Sequence, residues 1–193
     1  GGFSGKVGTV IGGSWRGKNT MRSIGKKIKR KPSVKQAEQR IKFALAQKFL
    51  TPFRNLVSMG FQDRLLKSRT GFNAATSYNL KFAVVGAHPT YSISYPKIRI
   101  SNGNLTPLLT LSVKEVANNP NQLDLSWEHN MSNLLEKGTD KVFVLAYQED
   151  GNKFLTQSGP TRSAKAMQLI LPKNMLTKGI RVWVYVQDQQ QKT

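Results

Sequence analysis

The chain has 193 residues, with 30 Lys and Arg against 10 acids and a formal net charge of +20. It has no cysteine, which excludes disulfides and thiolate metal sites, and no apolar run approaches the roughly 18 residues a membrane-spanning helix needs. Such a length suits one domain or two small ones, and such a charge attracts polyanions.

The charge is concentrated at one end. Residues 1–70 hold 17 Lys and Arg against Glu38 and Asp63, leaving +15, whereas residues 71–193 hold 13 against 8, leaving +5. The stretch Gly1 to Lys31 has no acid and carries Lys6, Arg16, Lys18, Arg22, Lys26, Lys27, Lys29, Arg30 and Lys31 among its glycines. It is too polar and flexible to build a core, and reads as a basic Gly-rich arm that orders against an acidic partner or another protein surface. Residues 6–12 and 14–23 read as short extended segments joined by a turn at Gly12-Gly13, or as a glycine-rich tail. The start at Gly1-Gly2 without Met, and without a signal-peptide pattern, predicts an upstream part removed or left out.

After the basic run that ends at Pro32, Ser33 and Gln36 form a capping-box pattern. The helix it opens carries a stripe of Ala37, Ile41, Ala44, Leu45 and Phe49. Thr51-Pro52 predicts a break, followed by a helical piece through Phe53, Leu56 and Val57 up to Gly60, and a further turn over Gln62 to Lys67. A third helix is expected over about Asn73 to Val84, burying Phe72, Ala75, Leu80 and Ala83.

At Pro89 the pattern turns to short strands: Tyr91–Ile100, Leu108–Val116, Leu123–Trp127, Lys141–Tyr147, a return from Phe154-Leu155, Ala166–Leu171 and Ile180–Val186. Turns are expected at residues 118–121 and 149–152, and Leu123, Leu125 and Trp127 share one face. The expected fold is α+β: an arm and helical region over 1–88, then an immunoglobulin or fibronectin type III-like antiparallel sandwich over 89–193. Its last strand is missing, or the sequence is truncated; a missing strand leaves an open sheet edge that strand donation from a neighbour would cover.

Several stretches together resemble the DUF6266 family of uncharacterised Bacteroidota proteins. They are GGFSGKVG at 1–8, GSWRG at 13–17 with Arg22-Ser23, KPSVKQAEQRIKFALAQKFLTPFRNL at 31–56, NAATSYNLKFAVVG at 73–86, YSISYPKIRISNGNL at 91–105 and LDLSW at 123–127. The likeness spans nearly the whole chain and implies no particular activity. It implies that members run a few residues further at the start and one strand-like segment further at the end, which favours truncation or processing.

Catalysis has little support. His88 and His129 lack a second ligand at metal spacing and read as solvated loop side chains, and Glu149-Asp150 lies in an expected turn. No G-x-S-x-G occurs, and Gly5-Lys6 is followed by Val7, where a phosphate loop needs a hydroxyl. No enzyme, cofactor or metal is expected.

Polyanion binding has more. Ten basic residues from Lys6 to Lys35 offer enough phosphate contacts for salt-sensitive binding without base reading, and Trp15 is a stacking residue or a packing anchor. The alternative is a solvated basic surface. The expected function is a structural protein assembling on nucleic acid, DNA favoured, as in a virion or extracellular nucleoprotein filament, with Ile180, Val182, Val184 and Val186 of the last strand at a subunit contact. The runner-up is a filament or surface subunit that polymerises by strand exchange without nucleic acid.

Overall fold

The computed structural model describes residues 2–15, 17–26, 31–62, 69–117, 119–129, 137–175, 179–189 and 193. It is an α+β protein whose sheets are antiparallel. Its contacts divide it into two compact units, Gly1–Ile41 and Lys42–Thr193.

In the first unit β1 (Gly5–Val7), β2 (Val10–Trp15) and β3 (Lys18–Ser23) form a three-stranded meander in the order β1-β2-β3. The expected turn at Gly12-Gly13 is corrected: both glycines lie inside β2, paired with Met21 and Thr20 of β3. The chain reverses instead at Gly8 and Gly17, whose φ of 58° and 77° suit residues without a Cβ. Gly12 has a different role. A Cβ there would strike the Phe3 carbonyl and sit 2.7 Å from the Phe3 ring, so the strand is glycine where the N-terminal segment lies across it.

The helix α1 (Val34–Leu50) begins as the capping box requires. The Ser33 amide donates to Gln36 Oε1 at 3.1 Å, and the Gln36 amide donates to Ser33 Oγ at 3.3 Å. Its expected stripe is only partly right. Ile41 and Ala44 are exposed and Ala37 and Leu45 half-buried, while Ala46, Phe49 and Leu50 are buried, so only the C-terminal end enters the core.

In the second unit a 3-10 turn at Thr51–Phe53 follows, with Pro52 near its start, and then α2 (Arg54–Gly60). The turn expected over 62–67 falls largely outside the described residues. The helix α3 (Gly71–Phe82) starts earlier than expected because Thr70 Oγ1 caps it, accepting from the Asn73 amide at 3.2 Å. Where that helix was expected to end and the first strand to begin, β4 (Val84–Ala87) and β5 (Thr90–Ile93) make a hairpin about the cis His88-Pro89 bond. Residues 95–97 form a 3-10 turn, so the strand expected through Ile100 is shortened.

Six strands make two sheets. β6 (Leu109–Val116), β7 (Asn119–Glu128) and β10 (Ala166–Ile170) order as β10-β7-β6; β8 (Lys141–Gln148), β9 (Lys153–Thr161) and β11 (Ile180–Gln187) order as β11-β8-β9. β7 takes in Pro120 and Asn121 of the turn expected at 118–121, and Asn118 lies outside the described residues. The turn at 149–152 joins β8 to β9 as expected, Gln148 facing Lys153.

Strand β8 explains the layering. Val142 through Gln148 are all buried, so its near-continuous apolar run is buried on both faces. Val142, Val144 and Ala146 share a core with Leu123, Leu125 and Trp127 of β7 and Met167 and Leu169 of β10. Phe143, Leu145 and Tyr147 share another with Phe49, Phe53, Leu56 and Val57 from the helices. Phe49 sits edge-on to Phe53, Tyr147 and Tyr95 at 5.1, 5.2 and 5.8 Å between centroids.

Tyr185 of β11 sends its hydroxyl into this second core, donating to the Leu56 carbonyl at 3.1 Å, and burial pushes its phenol well above the usual range. In the unfolded chain the phenol ionises near pH 10 while the folded one holds its proton. The unfolded state then binds fewer protons, so stability present below about pH 10 is lost as pH rises beyond it. Tyr185→Phe is expected to cost about 1 kcal/mol at pH 7. It should also flatten the decline of urea midpoints between about pH 9 and 11. Tyr95 retains part of the slope, its phenol raised by burial first and by its hydrogen bond with Tyr147 second. An unchanged slope would show that Tyr185 does not hold its proton.

A candidate polyanion interface

Pairing in the N-terminal sheet decides which cations meet. Lys6 lies opposite Ile11, which lies opposite Arg22; Trp15 lies opposite Lys18. Directly opposed residues of antiparallel strands point to the same side, and so do residues two apart. Ile11, Gly13 and Trp15 therefore share one face with Lys6, Lys18, Thr20 and Arg22. With strands about 4.8 Å apart and a rise of about 3.4 Å per residue, the cationic face measures roughly 10 by 14 Å. Lys6, Lys18 and Arg22 are exposed, Ile11 is half-buried between them, and Trp15 is 56% exposed at the hairpin end. Residues 2–26 contain no acid, so nothing within that span neutralises the face.

The other face of the same sheet holds Val7, Val10, Gly12 and Met21, with Phe3 laid over Gly12. That face also carries Ser14, Asn19 and Ser23, so one side of the sheet is cationic and the other is mixed and uncharged.

Of the other basic residues singled out from the sequence, Lys26 and Lys31 are exposed outside the strands. Arg16, Lys27, Lys29 and Arg30 lie outside the described residues. Alternation in the sequence suggests two faces, but glycines at 12 and 13 hide the period, and only the strand register assigns each cation to a side.

The last strand is placed differently from the arm. Val186 is buried, and Ile180, Val182 and Val184 pack against the core between the two sheets. Their side chains are therefore taken up internally. What β11 leaves unpaired, among the described residues, is its backbone edge away from β8. A groove of about 430 Å³ lies beside it, between Trp183–Val186 and residues 98–107. Thr193 sits at this groove and accepts from the Leu105 amide at 3.4 Å.

His88 is exposed, but His129, expected to be solvated, is half-buried with both ring nitrogens shielded from solvent. Among the described residues no three His, Asp or Glu side chains gather where a metal ion would be held. No described helix is long and apolar enough to cross a membrane.

A chain of this kind, α+β with antiparallel sheets and one cationic sheet face, belongs to the DUF6266 family, a family of unknown function whose model matches residues 2–191. No curated protein and no solved structure matches it.

Proposed function

We propose that this is a non-enzymatic structural protein that binds nucleic-acid backbone without sequence preference through the N-terminal sheet and takes part in an assembly. The observation that carries the reading is the register that gathers Lys6, Lys18 and Arg22 on one acid-free face beside Trp15. Cations bind phosphates by releasing counterions, an exposed aromatic offers a stacking surface to unpaired bases, and neither reads sequence. The sheet orders β10-β7-β6 and β11-β8-β9 around one shared core support an immunoglobulin or fibronectin type III-like sandwich.

The test is binding of the purified chain to random-sequence single- and double-stranded DNA as salt rises from about 50 to 200 mM. Each phosphate contact on duplex contributes about −0.9 to the slope of log K against log salt, so three cations alone give roughly a 40-fold loss across that range. Cations following β3 steepen it further. No binding at the low-salt end would overturn the reading.

A second reading, a subunit joined by strand exchange without nucleic acid, is favoured by the β11 edge that no described strand pairs with and by its groove. It gains if the chain ignores DNA yet elutes as concentration-dependent oligomers on size exclusion.

A further inference from the structure

The cationic face of the N-terminal sheet has a gap in it. On the side of β2 that carries Ile11 and Trp15, Gly13 lies between them and leaves one side-chain position open. A Cβ added at Gly13 would meet nothing nearer than Thr20 Oγ1, at 3.7 Å. That hydroxyl donates to the Gly13 carbonyl at 3.2 Å, which holds it at the border of the gap. Gly13 does not have the positive φ of a turn glycine, so the backbone does not require glycine here. It differs in this from Gly8 and Gly17, where the chain reverses, and from Gly12, where Phe3 takes the space.

The surroundings of the gap suit a flat ring with charge beside it. Ile11 and Trp15 stand at its two ends, roughly 14 Å apart along the strand. Trp15 is 56% exposed, and among the described residues no ring or cation lies over it. With glycine as its neighbour on that face, the indole is uncovered on the flank toward Ile11. Alongside, about 4.8 Å away, β3 places Lys18 opposite Trp15, Thr20 opposite Gly13 and Arg22 opposite Ile11. The face therefore has two tracks, one of cations and one with an open aromatic slot. A nucleotide strand is laid out in the same way, phosphates in a line and bases to one side. We infer that the Gly13 gap takes one unpaired base of a single strand, stacked on Trp15, with the flanking phosphates on Lys18 and Arg22. The inference rests on the polyanion reading above and narrows it to single-stranded nucleic acid. A base inside a duplex keeps both faces stacked on its neighbours, so a duplex meets only the cations.

The experiment measures binding of the whole chain to oligo(dT) and to a duplex of the same length. Gly13→Val fills the gap without touching a charge, and a β-branched residue suits a strand. It should weaken oligo(dT) by roughly 5- to 150-fold, the range of one base–aromatic stack, and leave duplex affinity and both salt slopes unchanged. Gly13→Ala, the smaller change, should weaken oligo(dT) selectively as well, and serves alone if the valine lowers the thermal transition. Ser14→Val, one position along on the opposite face, should alter neither ligand. Free dTMP offers one phosphate to two cations and should compete at least about tenfold more weakly than oligo(dT) per nucleotide. Equal competition would assign the gap to a free nucleotide and overturn the strand. A duplex weakened as much as oligo(dT), or oligo(dT) indifferent to both Gly13 substitutions, would overturn the inference and leave the polyanion reading standing. Binding to neither ligand would overturn both.

Discussion

Replacing Arg162 by alanine is expected to cost about 3–5 kcal/mol of folding stability, read as a lower urea midpoint at unchanged slope. Arg162 is 0% exposed and its ion-pair partner Asp140 only 1%, with Nε 3.4 Å from Asp140 Oδ2. Its guanidinium also donates to the Thr106 and Pro107 carbonyls at 2.7 and 3.4 Å. Its backbone is equally committed: the amide donates to the Asp140 carbonyl at 2.7 Å, and the carbonyl accepts from Trp127 Nε1 at 2.7 Å. One residue thus ties the segment before β6, the end of β7 and the start of β8.

Alanine removes the charge and leaves Asp140 buried without its counter-ion; among the described residues its Oδ2 then retains only the Lys137 amide at 3.1 Å. Desolvation of that carboxylate is then uncompensated, and this dominates the loss. Arg162→Met with Asp140→Leu removes both charges and keeps volume, so the pair should recover most of the stability despite two changes. Arg162→Lys should not, since one ammonium does not span the carbonyls of Thr106 and Pro107 together with Asp140. A loss below about 1 kcal/mol for Arg162→Ala would mean that water reaches the pair.

The parts legible in the sequence are those where one local rule acts alone. The capping box at Ser33 and Gln36 fixed the start of α1, and alternation in LDLSW put Leu123, Leu125 and Trp127 into one core. The Asp150-Gly151 turn and most strand positions followed for the same reason. Failures occurred where a distant partner decides. Gly12-Gly13 reads as a turn from glycine alone, but Phe3 needs the space above Gly12 and β3 pairs with it. Ile41 and Ala44 have helical spacing, yet burial depends on what α1 meets, and it meets the core only from Ala46 onward. Arg162 is invisible from sequence, because a cation in a loop reads as solvated unless its carboxylate and carbonyl partners are known. The same holds for the candidate interface. The sequence shows nine cations, and the register shows which three share a face.

That face is where substitution should act most strongly on function. With Lys6, Lys18 and Arg22 all changed to Gln, affinity for DNA at about 50 mM salt is expected to fall on the order of 10³-fold. The salt slope on duplex should shrink by about 2.7, because each lost phosphate contact removes about 0.9. All three are exposed, so the sheet should keep its thermal transition. The comparison that gives this meaning is Lys114, Lys141 and Lys173 changed to Gln, three exposed cations on the other unit that lower the net charge equally. If binding came from net charge alone, the two triple variants would lose affinity alike, and the sheet face would have no special part. If the face is the contact, the second triple leaves the slope almost intact. Trp15 adds a separable arm: Trp15→Ala should weaken single-strand binding by about 1–3 kcal/mol and leave duplex affinity nearly unchanged, since stacking needs an unpaired base. Trp15→Phe should restore most of the difference, because a ring of any kind supplies the face. Equal losses on single strand and duplex would make Trp15 a packing residue of the sheet instead.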